Sequence, residues 1–463
     1  MQQFYKISIA LLVILHILSI ISKMNLSVGV FLAGVVISIL GLRVMSRAFQ
    51  RVTMLFLILG MGGLCVYHQP INVWMESFNT MANFISILVV MQLFTIPISA
   101  GRYDQVLCYW LKKFCKSSGM LFLFTMMVTH ILSSFLSMGT VPVVINLFSD
   151  TIKKQIRNYK RFIATAVSRS FTLGTLWAPG AATIFLVGKV TNVSWPRIFA
   201  PSLLIGLGGI VTAYILELGE GHISNKVDAR LKQPEEAREN KKIQNRVWHI
   251  LLAIISLILL TMLFIYLQVA ASSEGIILSG LIVAVVWTLF LCKGTDISLF
   301  VKKYWQTDLL KAADMAPFFV AIGVFSGAFT HSDLEELIEV SLQGYAENLG
   351  IMMLFLIPLG MVVLSLIGLH PLISIVILGQ LLMALHLTLS PLVLALCLNV
   401  GSSIAYMISP FAGIIVTIAA LINANTLEVA IKWNWRFCAT YFIIGIVLAY
   451  FLGELFTIPT STL

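Results

Sequence analysis

Charge is scarce in this chain. Asp, Glu, Lys and Arg together make up 11% of its 463 residues, whereas 59% are hydrophobic. A soluble domain cannot hide that much apolar surface, so lipid is the solvent for most of the chain. Several chemistries also lack their marks: there is no Gly-rich phosphate loop, no zinc-ligand spacing and no nucleophile elbow. The six cysteines (65, 108, 115, 292, 397 and 438) are scattered without a C-x-x-C pair, which fits apolar space-fillers better than a redox or metal centre. No ATPase module appears, so movement driven directly by ATP would need a separate partner. These absences point away from an enzyme and from a bound cofactor. A net charge of +10 suits nucleic acid in principle. Here, however, the charges sit in short loops between apolar stretches, where membrane topology explains them and nucleic acid does not.

What the chain does have is a repeat. Residues 84–218 and 315–455 read as two copies of one unit. SFLSMGTVPVVINLFSD (134–150) lines up with VLSLIGLHPLISIVILG (363–379), which puts Gly139 on Gly368 and Pro142 on Pro371. Further on, TLGTLWAPGAATI (172–184) lines up with SIAYMISPFAGII (403–415), with Pro179 on Pro410. Gly174, Gly180 and Gly413 add to these breaks. Membrane helices are rich in Gly and Pro in any case. Four matched interruptions in one order are nevertheless the pattern that marks the central binding site of a secondary transporter.

A spanning helix needs about 20 mostly apolar residues. That rule predicts helices near 6–22, 26–42, 52–67, 82–100, 162–188, 195–217, 248–269, 275–292, 314–330, 390–421 and 433–455. Two more apolar stretches, 118–149 and 350–386, are too long for one crossing, and each carries its G-x-x-P break near the middle. They read as re-entrant hairpins, while 162–188 and 390–421 read as broken helices. The expected fold is an all-α polytopic membrane protein of about eleven spans plus two hairpins, in two repeats of inverted topology. Residues 1–25 form an extra helix, 26–218 the first repeat, 219–247 a cytoplasmic linker, 248–455 the second repeat and 456–463 an external tail. Basic residues crowd one set of loops, among them Arg43, Arg47, Arg51, Lys153, Lys154, Arg157, Lys160, Arg161, Lys432 and Arg436. The opposite set holds only Lys23, Lys189 and Arg197. By the positive-inside rule the N-terminus is cytoplasmic and the C-terminus external, in a bacterial plasma (inner) membrane. Segments 103–116 and 297–312 read as interfacial helices on the cytoplasmic face, and 333–346 as an acidic counterpart outside.

Arg169 is a basic residue in the middle of a span. A cation at that depth costs several kcal/mol unless it is paired or solvated. The candidate carboxylates Asp150, Glu217, Asp314 and Glu454 all fall near span ends. An anionic ligand held by the guanidinium fork is therefore the functional expectation. Snorkelling toward the basic cluster at 153–161 is the plainer one. Ser168, Ser170, Thr172 and Thr175 surround Arg169, and Asn399, Ser402, Ser403 and Ser409 are their second-repeat counterparts. Freed carbonyls and half-helix N-termini beside them can hold cations and anions, although such hydroxyls often only bond to helix carbonyls. Ser137, Gly139 and Thr140 form the first hairpin tip. His370 stands on the second, and with a reference pKa of about 6.5 it suits a coupling proton. His130 is expected to be a satisfied buried side chain.

Eleven spans, two opposed hairpins and two broken helices resemble the ion transporter superfamily and, within it, the divalent anion/sodium symporter family. GTLWAPGA (174–181) looks like that family's G-T-x-x-x-T-P-P-N stretch, and SSIAYMISPFAG (402–413) is similar to its counterpart. The tips depart from the family's Ser-Asn-Thr. They read Ser137-Met138-Gly139-Thr140 and Gly368-Leu369-His370-Pro371, so the first keeps its hydroxyls and the second loses them. The fold carries over; sodium coupling and dicarboxylate specificity do not follow. The resemblance implies a homodimer, a mobile unit of hairpins and broken helices on a scaffold, and a Na+ site near Ser137, Thr140 and Gly174. The expected function is secondary active transport, as symporter or antiporter, of a small organic or inorganic anion coupled to Na+ or H+. A flippase for a lipid-linked anion and a membrane-embedded transferase are the alternatives; the transferase is disfavoured by the short external loops.

Overall fold

The computed structural model describes residues 2–457 except 46, 102, 104–105, 108–109, 112–114, 225, 227–245, 293–294, 311–314, 334–340, 342–349, 386 and 388. All but the first two residues of the expected external tail (456–463), most of the linker and almost all of 333–346 lie outside the described residues, as does part of 103–116. Six helices come first: α1 (Gln2–Ser22), α2 (Ser27–Gly41), α3 (Arg47–Val66), α4 (Ile71–Asn79), α5 (Ala82–Gln92) and α6 (Thr95–Ala100). A hairpin of α7 (Ser118–Leu136) and α8 (Thr140–Gln155) turns through a 3-10 segment at Ser137–Gly139. α9 (Tyr159–Thr175), α10 (Ala182–Thr191) and α11 (Trp195–Gly219) follow. After the linker come α12 (Val247–Tyr266), α13 (Ser272–Leu291) and α14 (Thr295–Lys303), then a π-helical turn at Tyr304–Asp308 and α15 (Ala316–Thr330). A second hairpin, α16 (Met353–Leu366) and α17 (Pro371–Ala384), leads to α18 (Pro391–Ile408) and α19 (Gly413–Ile422). A π-helical turn at Glu428–Lys432 then precedes α20 (Trp435–Leu455).

Each of the eleven expected spans has helical counterparts, and among the described residues eight helical segments are long and apolar enough to cross a membrane. Their outward faces are apolar. On α12, Trp248, Leu252, Ile255, Leu259 and Leu263 form an exposed stripe at helical spacing. A helix apolar on its outer face as well as its inner one belongs in lipid. The chain is an all-α polytopic membrane protein.

Two details differ from the sequence reading. The stretch 82–100 is not one helix: α5 and α6 are separated by a turn at Leu93 and Phe94. The reading also missed α4, because INVWMESFN mixes Asn, Glu and Ser into a nine-residue segment with no long apolar run. The extra helix α1 packs into the fold: Tyr5 and Lys6 are buried, and Lys6 Nζ donates to the Gln306 carbonyl at 2.8 Å.

The chain forms two compact units, one of residues 1–101 with 251–343 and the other of 102–250 with 344–463. This division runs across both sequence repeats, so each unit takes part of each copy. In the first unit, small residues bring helices close. A Cβ added at Gly60 on α3 would lie 2.7 Å from the Phe325 backbone nitrogen on α15. The second unit contains both hairpins, all four half-helices and the long helices α11 and α20.

Candidate functional site

The second unit holds the motif hairpin, broken helix, long helix twice over. Between α9 and α10 the chain leaves helical geometry for residues 176–181, and between α18 and α19 for 409–412. Pro179 and Pro410 lie in these gaps, where a missing N–H and the ring's clash with the preceding turn stop the helix. Each second half is ten residues long. Each also ends on an asparagine in the left-handed region, Asn192 at φ 52° and Asn423 at φ 51°. Asparagine tolerates that conformation better than most residues, and the pair sits in the same alignment register as the two prolines. The residues ahead of the second halves, Ala181 and Ala412, provide no side-chain cap. The first-turn N–H groups of α10 and α19 therefore face the breaks as bare donors at the positive end of each helix dipole.

The hairpin tips meet the second break. A Cβ on Gly413 would sit 3.4 Å from the Met138 Cε of the first tip, and one on Gly368 of the second tip would lie 3.9 Å from the Phe411 ring. Met138, Gly368, Phe411 and Gly413 are all exposed. Ser409 Oγ donates to the Ser365 carbonyl at 2.9 Å, which ties the second break to its own hairpin. Asn399 Nδ2 donates to the Leu176 carbonyl, freed by the first break, at 2.7 Å, and to Ser202 Oγ at 3.0 Å. His370 caps α17 through Nδ1, which accepts from the Leu372 N–H at 3.3 Å, and its ring meets Tyr406 edge-on at 5.4 Å. Pro371 starts α17, where a proline lacks nothing the helix needs. Pro142 lies half-buried in the first turn of α8.

The hydroxyls sort into two classes. Ser170, Thr172, Thr175 and Ser402 bond back to carbonyls of their own helices, and Ser168 accepts from Asn434 Nδ2 at 3.0 Å. These need no ligand. By contrast Thr140 Oγ1, Ser403 Oγ and Asn399 Oδ1 are buried without a hydrogen-bond partner, as are Ser365 Oγ and Ser374 Oγ on the arms of the second hairpin. Native proteins seldom leave such atoms unpaired, and each one asks for a ligand or water. The sequence reading missed Ser365 and Ser374. Their flanking of the G-x-x-P break was the available signal.

Arg169 corrects an expectation. It is 2% exposed and fully engaged: Nε donates to Asn434 Oδ1 at 2.9 Å, Nη1 to Glu217 Oε1 at 2.9 Å and Nη2 to the Trp433 carbonyl at 2.8 Å. Its guanidinium also lies 4.8 Å from the centre of the Phe437 ring. Glu217, placed out of reach by its position near a span end, is the partner, and Arg161 grips the same carboxylate with both Nη atoms. Helical side chains lean toward the N-terminus, so Arg169 reaches back along α9 to the level of Glu217 on α11. His130 is satisfied as expected: Nε2 accepts from Trp177 Nε1 at 2.9 Å, and Nδ1 faces the Ser170 carbonyl at 3.4 Å.

No protein-family model matches the chain, and no curated protein does. Among solved structures it is similar to the YdaH transporter of Alcanivorax borkumensis, whose crystal structure is described as revealing an unusual topology. The TM-score is 0.57 at 16% identity, over 81% of this chain and 86% of that one. The two share a fold. The likeness extends over all but about a fifth of this chain, far beyond the short stretches that carry the motif resemblance.

Proposed function

We propose that this chain is a secondary active transporter that moves a small organic or inorganic anion by alternating access, coupled to Na+ or H+. The observation that carries the reading is the paired set of hairpins and broken helices in one compact unit, with bare half-helix N-termini and unpartnered buried polar atoms around the breaks. The fold shared with the YdaH transporter supports transport as the activity.

In this reading the first turns of α10 and α19 attract the anion's negative charge. Thr140, Ser403 and Asn399, joined by Ser365 and Ser374, supply hydrogen bonds that are unmade without it. A sodium ion would use oxygen ligands: the Thr140 hydroxyl and backbone carbonyls around Ser137 and Gly174. A proton would use His370 at the second hairpin tip. Arg169 holds the broken helix in place instead of clamping the guest. The unit carrying the site moves as a body in a homodimer, in a bacterial plasma membrane with the N-terminus inside.

Purified protein in proteoliposomes tests this. Uptake of at least one small acid, driven by a sodium or proton gradient and lost with Ser403→Ala, is the expected result. Failure of every small acid to be taken up or bound, with or without either gradient, would sink the proposal. Movement of a lipid-linked anion in its place would favour a flippase.

A further inference from the structure

A cavity of about 510 Å³ opens beside the buried Arg169–Glu217 pair, at the ends of α9, α11 and α20 in the second unit. Its inner wall is Arg161, Arg169 and Glu217, and its mouth carries Lys432, Trp435 and Arg436 together with Glu220 and Glu428. The inner charges answer one another and are largely buried. The outer ones are solvated: the side chains of Lys432 and Arg436 are 69% and 61% exposed, and each is paired at 3.1 Å with an exposed or half-buried carboxylate, Glu428 and Glu220 respectively. Glu220 is shared with Arg161 at 3.6 Å and His222 at 3.1 Å. Solvated pairs of this kind contribute little. A lipid phosphate can therefore take up Lys432 and Arg436 at small cost, with Glu220 still held by Arg161 and His222.

Two further observations indicate which anion. α11 and α20 are 25 and 21 residues long and apolar enough to cross a membrane. Their ends at Gly219 and Trp435 thus mark its boundary, and Trp435 is half-exposed there, as interfacial tryptophans are. Leading to that boundary, Leu204, Val211, Ile215 and Leu218 form an exposed apolar stripe on α11, and Ile443, Val447 and Phe451 form one on α20. The helices touch: a Cβ on Gly208 would lie 2.9 Å from Leu448 Cδ1. Apolar faces below, and above them a mouth with two solvated cations and an indole, match a molecule with acyl chains and a phosphate, in that order.

We propose that this cavity is a binding site for the phosphate headgroup of an anionic membrane lipid. Lys432 and Arg436 hold the phosphate, Trp435 packs against the glycerol region and the chains lie along α11 and α20. The site is separate from the hairpin tips and does not depend on what the protein transports.

The test uses the full chain in nanodiscs of phosphatidylcholine with and without phosphatidylglycerol, with retained lipids counted by native mass spectrometry. The wild type should retain phosphatidylglycerol in preference to phosphatidylcholine. Lys432→Gln/Arg436→Gln should lower that preference about ten-fold or more, as expected for two basic groups near an anionic surface. Arg436→Lys should keep most of it, and Arg51→Gln, an exposed basic residue of the first unit, should leave it unchanged. Equal retention by the double variant, or an equal loss with Arg51→Gln, would overturn the proposal. So would displacement of the lipid by free glycerol 3-phosphate at matched concentration, which would assign the cavity to a soluble phosphate.

Discussion

At the scale of single residues, Arg169 has two competing roles, and they separate cleanly in the laboratory. Glu217 sits between two guanidiniums. Glu217→Gln leaves Arg169 without a counter-charge in a buried place, while Arg161 keeps Glu220 at 3.6 Å; breaking such a buried pair costs about 3–5 kcal/mol. Arg169→Met is milder, because Arg161 still neutralises Glu217 and the methionine keeps some contact with Phe437. Thermal unfolding of detergent-purified protein should rank wild type above Arg169→Met, and Arg169→Met above Glu217→Gln. If Arg169→Met unfolds like the wild type yet takes up no anion, Arg169 contacts the guest and the holding role is wrong. The unpartnered hydroxyls give the opposite signature. Thr140→Ala and Ser403→Ala remove atoms that bond to nothing in the protein, so stability should stay within about 0.5 kcal/mol of wild type. Uptake should fall. A hydroxyl whose loss destabilises without touching transport belongs to packing and not to the site.

At the scale of elements, the two G-x-x-P tips look alike in sequence and are built differently. Gly368 takes φ +100°, open to glycine alone among common residues, whereas Gly139 has φ −62° with its nearest neighbour for a Cβ at 3.9 Å. In the first tip the left-handed position falls on Ser137, two residues earlier. Gly368→Ala should therefore cost about 1 kcal/mol or more, and Gly139→Ala less than about 0.5 kcal/mol. Equal unfolding temperatures for the two variants would contradict the tip geometry. This contrast also shows what a sequence discloses. The run of apolar residues and the prolines that interrupt it are local signals, and they located both hairpins and both breaks. Which tip residue turns left-handed, and that Glu217 meets Arg169 across two helices, depend on helix register and side-chain lean, which no local pattern records. Asn192 and Asn423 were legible in principle, as matched asparagines after matched breaks. The π-helical turn and the short segment leading into α20, which supply Trp433 and Asn434 to Arg169, have no counterpart in the first copy and so escaped an argument built on repeats.

At the scale of the whole molecule, the proposed mechanism has the two repeats upside-down relative to each other, one of the arrangements that support alternating access. The chain's basic residues already favour that arrangement. The two hairpins then open toward opposite faces, and cysteine labelling reads this out directly. In a background with Cys65, which is exposed, replaced by serine, single cysteines can be placed at Lys116 before α7 and at Ile351 before α16, both exposed. An impermeant maleimide applied to intact cells should label Ile351→Cys and leave Lys116→Cys unmodified until the membrane is opened. Lys23→Cys should behave like the first and Arg157→Cys like the second. Labelling of positions 116 and 351 from the same side would mean parallel copies. The breaks of α9–α10 and α18–α19 would then point their half-helix N-termini in one direction. A single anion could not be handed from one face to the other by a pair of opposed, equivalent gates.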